Sequence, residues 1–474
     1  MTDSTGTMDS MLHIYRARFD REHDVHSIVE SLGGADVTQI FVHNLTSLPY
    51  WRQIATVLPG YDKYDQRALV FARPHDIVCV EVEVDNRYLT YLEQLEIGPA
   101  SGNVIMGSEV AAPGSNPIFL DAMIHNHEVL LKIKDMVGPN DEIVLNPFMG
   151  SQKQFELGSK LEMITGKKVH VCGGNPAIVD AVDAKHNAKK KSIQLDVPVC
   201  EGDLVEIETG DDGRPLDVRP IQTAIDRHLY KTGRVIVRGS RGSSGSSTFI
   251  VENRKDSIQK ALHEINRRTD NTVYLVEVML DVIVSTNVML HVGPGGDSIV
   301  CVGITDQRLS DQLVHEGNLY PSKARTVREM LGSAEKIAKW LQGEGYRGLL
   351  GLDFGEYLNP ATGEPHHFLS EINPRMNGAA YPKAMMEYLN EKQKKRGGPY
   401  VESFLSASRR TDAASFADLQ TRYGSLFYSP QTGRGLVPYN TGILQDGKFA
   451  LALFGQSRDE VLEMYEEVKS VESK

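Results

Sequence analysis

Apolar and polar positions divide the chain into two stretches of different texture. From about Gln39 to Gly150, short apolar runs alternate with longer segments of helical character. Ile40-Phe41-Val42, Ile77-Val78-Cys79-Val80 and Ile143-Val144-Leu145 read as strands, and Val169-His170-Val171 before Gly173-Gly174 reads as a fourth. Residues 88–95 and 119–134, between them, read as helices. Strands alternating with helices predict an α/β layer on a parallel sheet.

The second stretch is richer in strands. A basic helix is expected from residue 183, followed by a Pro-marked turn near 198 and a loop at Thr209-Gly210-Asp211-Asp212-Gly213-Arg214-Pro215. Strands are expected at 235–237, 248–251, 274–279, 287–292, 298–302, 349–354 and 367–372, with helices only at 256–267 and 323–342. This pattern predicts an α+β unit. A loop-like break is expected at 392–399, and a final helix at about 458–469. The expected division is an N-terminal segment 1–30, whose first ten small, polar residues are expected to lack order, an α/β domain 31–180, an α+β domain 181–390, and a C-terminal extension 391–474.

Composition narrows the function classes. A length of 474 residues suits about three domains, and 41% hydrophobic with 24% charged residues is ordinary for a soluble globular protein. The net charge of −12 repels phosphate backbones, so no nucleic-acid partner is expected. No apolar run approaches the roughly 18 residues of a membrane span, and no secretory leader is visible. Cys79, Cys172, Cys200 and Cys301 are far apart and form neither a zinc pattern nor a disulfide framework. A reduced, cytoplasmic setting is expected.

Four pieces carry chemistry. Gly351-Leu352-Asp353-Phe354 and Phe368-Leu369-Ser370-Glu371-Ile372-Asn373-Pro374-Arg375 flank the turn formers Asn359-Pro360-Ala361-Thr362-Gly363, which predicts an antiparallel hairpin. Symmetry about Thr362 sets Asp353 opposite Glu371, with Cβ atoms about 5 Å apart, where like charges destabilise the pair. Glu371 and Asn373, two apart on one strand, share a face. Two carboxylates and an amide oxygen make a hard-oxygen site suited to Mg²⁺ held partly by substrate phosphates; a solvated acidic face is the alternative. The second piece, Arg238-Gly239-Ser240-Arg241-Gly242-Ser243-Ser244-Gly245-Ser246-Ser247, pairs small residues whose amides can turn to a phosphate chain with two arginines. It reads as a hairpin lid, or as a flexible linker. The third is an apolar strand bearing one carboxylate, Leu275-Val276-Glu277-Val278-Met279-Leu280. The fourth is the basic run of Lys185, Lys189, Lys190 and Lys191, which alone reads as a solvated helix face.

In this order the four pieces resemble the ATP-grasp superfamily, from about Asp183 to Pro382. Ser285-Thr286-Asn287-Val288, Gly303-Ile304-Thr305-Asp306-Gln307, Gly317-Asn318-Leu319-Tyr320-Pro321 and Glu371-Ile372-Asn373-Pro374-Arg375 resemble its pheganomycin-type peptide ligases, which carry a pre-ATP-grasp domain and a small C-terminal extension. The resemblance implies ATP and Mg²⁺ as cofactors and a homodimer as the assembly. It implies that Asp353, Glu371 and Asn373 bind magnesium, and that Val278 and Leu280 meet adenine through their backbones beside Glu277. Lys185, Arg238 and the lid residues Ser243, Ser244, Gly245 and Ser246 would contact the nucleotide. Arg375 and Arg241 would act on the reacting groups, and Arg238 stands where the superfamily carries a lysine. The implied activity is an ATP-dependent carboxylate–amine ligase that forms an amide through an acylphosphate, with small-molecule acid and amine substrates. The alternatives are another acceptor (thiol, bicarbonate or phosphoryl acceptor) or a catalytically silent nucleotide-binding module.

Overall fold

The computed structural model describes residues 18–472 apart from 35, 44, 49–50, 112–117, 140, 243–246 and 294–297. The first sheet contains β1 (Val37–Val42), β2 (Ile77–Val80), β3 (Val104–Met106), β4 (Glu142–Pro147) and β5 (Val169–Val171). All are parallel, in the order β3-β2-β1-β4-β5. Parallel strands are continuously apolar because both of their faces are covered. Phe41, Val78 and Val80 pack with Tyr88 and Leu92 of the helix Asn86–Leu95, while Ile40, Val42 and Ile77 pack with Ile124, Ile133 and Leu157 on the other face. The strand β3, Val104–Met106, is a three-residue apolar run that is not among the expected strands. The helical stretch at 119–134 is two helices, Phe119–His125 and His127–Met136; Asn126 breaks the run, and its side chain accepts a hydrogen bond from the Val129 amide.

A ten-residue 3₁₀ segment, Tyr61–Val70, lies between β1 and β2. Runs of this length are uncommon in 3₁₀ geometry, and its three residues per turn stack side chains i and i+3. Tyr61, Tyr64 and Arg67 therefore form one row.

Two antiparallel sheets follow. The smaller contains β6 (Gly202–Glu206), β7 (Arg234–Gly239), β8 (Thr248–Glu252) and β9 (Val273–Val278), in the order β6-β9-β7-β8. Its apolar face is covered by helices Arg219–Thr232 and Lys255–Asn266 through Ile221, Ile225, Leu262 and Ile265. The larger is made of β10 (Val282–Val292), β11 (Ile299–Leu309), β12 (His315–Tyr320), β13 (Gly348–Leu358), β14 (Pro365–Asn373), β15 (Ser403–Arg410), β16 (Gly435–Asn440) and β17 (Lys448–Gly455). Their order is β14-β13-β10-β11-β12-β15-β17-β16. The helix Val327–Gly343 packs on it through Met330, Ile337 and Leu341. The architecture is thus an α/β parallel-sheet domain followed by an α+β region of antiparallel sheets.

The C-terminal segment adds three strands to the larger sheet. The expected loop at 392–399 is a helix as far as Arg396: Ala380–Arg396 continues until Gly397, which takes the left-handed conformation at φ 67°. The reason is burial. Gln393 donates to the Tyr428 hydroxyl (3.1 Å) and the Pro430 carbonyl (2.8 Å), and Lys392 bonds the Gln94 carbonyl. Polar residues that read as a solvated break are thus held inside the packing. Among the described residues no helix is long and apolar enough to cross a membrane.

Candidate active site

A cavity of about 1010 Å³ is lined by both antiparallel sheets, by Phe148 after β4 and by the row Tyr61-Tyr64-Arg67. Its inner wall is the β13–β14 hairpin. The pairs nearest the turn, from Leu358 opposite Pro365 to Phe354 opposite Leu369, are one residue out of register with symmetry about Thr362. A bulge at Ser370 absorbs the difference, so Asp353 lies opposite Glu371 and Gly351 opposite Asn373. The bulged residue is also used. Ser370 accepts from Arg238 Nη1 through its carbonyl (3.1 Å) and its hydroxyl (2.9 Å).

The two facing carboxylates differ in charge environment. Burial, then the charge of Glu371, pushes Asp353 up to about 6. Its Oδ1 accepts from Asn287 Nδ2 (2.5 Å) and its Oδ2 from Asn373 Nδ2 (2.9 Å). Burial would also raise Glu371, but Lys185 and Arg375 outweigh it and hold that carboxyl below its ordinary value. Lys185 Nζ lies 3.0 Å from Glu371 Oε1 and donates to the Gly242 carbonyl at 3.0 Å.

The basic run is not a solvated face as a whole. In the helix Lys185–Gln194, Lys185 and Lys189 stand one turn apart and are buried, while Lys190 is exposed. Lys189 Nζ donates to Glu277 Oε1 and to the Cys200 carbonyl, each at 2.7 Å. Arg238 on β7 holds Glu277 Oε2 from the other side, through Nε at 2.9 Å and Nη2 at 2.6 Å. Burial would raise Glu277; these two cations keep it below its ordinary value. A count of charges along the chain carries no sign of this, because the carboxylate partners come from β9 and β14.

The remaining expected residues divide. Val278 and Leu280 line the cavity beside Glu277; the Val278 amide donates to the Glu201 carbonyl, and the Leu280 carbonyl accepts from Val282. Arg375 Nη2 donates to Asn373 Oδ1 (2.6 Å), so that amide oxygen is engaged, and its guanidinium stands 5.5 Å from the Phe148 ring centre. Arg241 is not brought into the cavity lining; it makes a two-point pair with Asp180, 2.8 Å at each nitrogen. Ser243, Ser244, Gly245 and Ser246 lie outside the described residues, while Gly242 and Ser247 at the loop base line the cavity. Burial pushes all four cysteine thiols up to about 12, so none supplies a thiolate at neutral pH.

The outer wall went unread in the sequence. It brings together Tyr61, Tyr64, Arg67, His315, Asn318, Ser406, Arg409 and Tyr439. The local trace of it is the period of three in Tyr61-x-x-Tyr64-x-x-Arg67, which signals a 3₁₀ row. His315 Nε2 and Asn318 Oδ1 are 3.4 Å apart, and burial lowers the imidazole pKa so that it is neutral near pH 7.

The donor set suits magnesium. Two carboxylates meet at Asp353 and Glu371, and among the described residues no cluster of three His, Cys, Asp or Glu side chains forms a self-sufficient metal cage. That balance fits Mg²⁺, which takes one or two protein carboxylates and completes its shell with phosphate oxygens and water.

The parallel-sheet domain is joined to two antiparallel sheets, and a cleft of carboxylates and cations lies between them. Residues 217–379 match the family described as ATP-grasp domain, whose enzymes use ATP and Mg²⁺. No curated protein matches the chain in sequence. One solved structure of similar fold is the ADP complex of purK, N5-carboxyaminoimidazole ribonucleotide synthetase. It is 12% identical, with 92% of this chain and 96% of that chain covered at a TM-score of 0.51. Another is biotin carboxylase from Campylobacter jejuni in complex with β,γ-ATP, 14% identical over 90% of this chain and 89% of that one, also with a TM-score of 0.51. At these identities the likeness is one of fold.

Proposed function

We propose that the protein is an ADP-forming carboxylate–amine ligase, of the peptide-ligase type that its motifs resemble. The observation that carries the reading is the facing pair Asp353 and Glu371, half-buried on one cavity wall with Lys185 and Arg375 beside it. A carboxylate does not acylate an amine at neutral pH because its leaving group is poor. Transfer of the γ-phosphoryl group of ATP to the acid gives an acylphosphate, which an amine attacks with loss of phosphate. Positioning and charge neutralisation supply most of the catalysis in such a transfer. Asp353 and Glu371 would hold Mg²⁺, which would supply positive charge against the nucleotide phosphates.

The chain's own groups take complementary parts. Lys185 exchanges Glu371 for phosphate oxygens when nucleotide enters, and Arg238 meets the phosphates from β7. Arg375 stabilises charge on the transferred phosphoryl group and on the oxyanion that develops at the acyl carbon. A cavity of about 1010 Å³ is at the top of the range of roughly 300–1,000 Å³ usual for one ligand, which suits two substrates held at once.

The test is a purified preparation with ATP, Mg²⁺, hydroxylamine and a panel of amino acids and small carboxylic acids. ADP and phosphate should appear only when an accepted acid is present, with a stoichiometric hydroxamate. AMP and pyrophosphate as products would overturn the mechanism. ADP without hydroxamate across the panel would assign a different acceptor.

A further inference from the structure

The 3₁₀ row on the outer wall has no part in the chemistry above. Its Arg67 is placed unlike the inner-wall cations. The guanidinium carbon lies 3.9 Å from the centre of the Tyr64 ring, 5.5 Å from Tyr439 and 5.9 Å from Tyr381. Aromatic faces offset part of a cation's desolvation, but they offer no lone pair in line with an N–H. Among the described residues no carboxylate pairs with Arg67, and its Nε is closed off from solvent without a hydrogen-bond partner. A guanidinium has five donors in a fork that matches a carboxylate or phosphate group.

The surroundings favour an anion. Arg409, Arg410 and Lys448 line the same cavity. Of the carboxylates that line it, Glu277, Asp353 and Glu371 belong to the inner wall, while Asp281 and Glu316 are exposed. Arg67 and Arg375 both line this cavity, together with Tyr61 and His315. The two arginines therefore face one shared chamber, and one small molecule can reach both.

We infer that Arg67, framed by Tyr64 and Tyr439, binds a second anionic group of the acid substrate whose first carboxylate is activated beside Arg375. The substrate class is then a diacid, or an acid bearing a phosphate or phosphonate. Which carboxylate reacts rests on the ligase reading, but capture of the second anion by Arg67 does not.

Calorimetry on the protein loaded with Mg-ADP separates the two claims. The probes are unbranched monoacids of four to six carbons, the matching diacids and the matching ω-phosphono acids. At least one diacid or phosphono acid should bind ten-fold or more tightly than its monoacid, and the better of the two series identifies the second anion. Arg67→Met should bring that ligand down to its monoacid's affinity, and Arg67→Lys should recover part of the gain. Equal affinity of all three series for the unaltered protein overturns the inference without any variant. A gain that survives Arg67→Met overturns it as well. A gain that depends on Arg67 but yields no hydroxamate with any acid upholds the anion site and refutes the ligase reading. Hydroxamate formation without diacid or phosphono preference does the reverse.

Discussion

The two walls of the cavity hold their arginines in opposite ways. On the inner wall Arg238 is paired by the protein itself, with Glu277 on two of its nitrogens and Ser370 on the third, and Lys189 completes the cluster. On the outer wall Arg67 is surrounded by tyrosine rings and has no carboxylate partner among the described residues. Taking a charge out of water is costly, and a fold recovers that cost only with a counter-charge and well-directed hydrogen bonds. The inner cluster recovers it within the chain and sets the geometry of β7 against β9. Within the chain the outer arginine has only ring faces, and the proposed anion would supply the counter-charge.

The largest effect that bears on this contrast is on catalysis. Glu371→Ala should lower the rate of ADP formation by about 10³-fold, or about 4 kcal/mol at 1.36 kcal/mol per decade, while circular dichroism stays that of the folded protein. A variant with ordinary activity would remove the inner wall from the chemistry.

Stability provides the sharpest comparison. Glu277→Ala leaves Lys189 and Arg238 buried without their counter-charge and should cost about 3–5 kcal/mol in denaturant unfolding. Arg67→Met removes a cation that has no such partner, and should change unliganded stability by no more than about 1 kcal/mol, since lost ring contacts and relieved desolvation oppose each other. Equal losses in the two variants would abolish the distinction between the walls.

The smallest effect is in pH. Asp353 is raised to about 6 from an ordinary 3.8. A carboxyl with a raised folded pKa favours the folded state in its protonated form. Its contribution is complete below pH 3.8 and is lost as pH rises through about 6. Protons and Mg²⁺ therefore compete for Asp353. The acid limb of the ADP-formation profile should lie near pH 6 at limiting Mg²⁺ and move to lower pH as Mg²⁺ is raised. A limb that does not move with Mg²⁺ would take Asp353 out of the metal site.

Much of the inner wall is legible along the chain because its parts are local. Asp353 and Glu371 are joined by one short turn, so the hairpin is legible from turn chemistry, but the turn sets the nearby pairs one residue off and it is the bulge at Ser370 that puts Asp353 opposite Glu371. Four of the five strands of the first domain's parallel sheet are legible for the same reason, each being a short apolar run, while β3 is not among the expected strands. The pairing of Lys185 and Lys189 was not legible. The same four lysines serve equally well as a solvated face until β9 and β14 bring Glu277 and Glu371 against one side of the helix. Arg241 shows the converse: its motif context is suggestive, but its charge is taken by Asp180, 61 positions earlier in the chain.

By itself, the sequence determined the fold class, the hairpin that sets two carboxylates face to face, and the strand that carries Glu277, all from periodicity, turn residues and spacing within a few tens of residues. Only the tertiary structure decided which cations are satisfied. Arg67 lies 314 positions before Tyr381 and 372 before Tyr439, yet both rings pack around its guanidinium. No local pattern encodes such a meeting, because the energy of a buried charge depends on what surrounds it in space. That environment exists only once both sheets and the 3₁₀ row have packed.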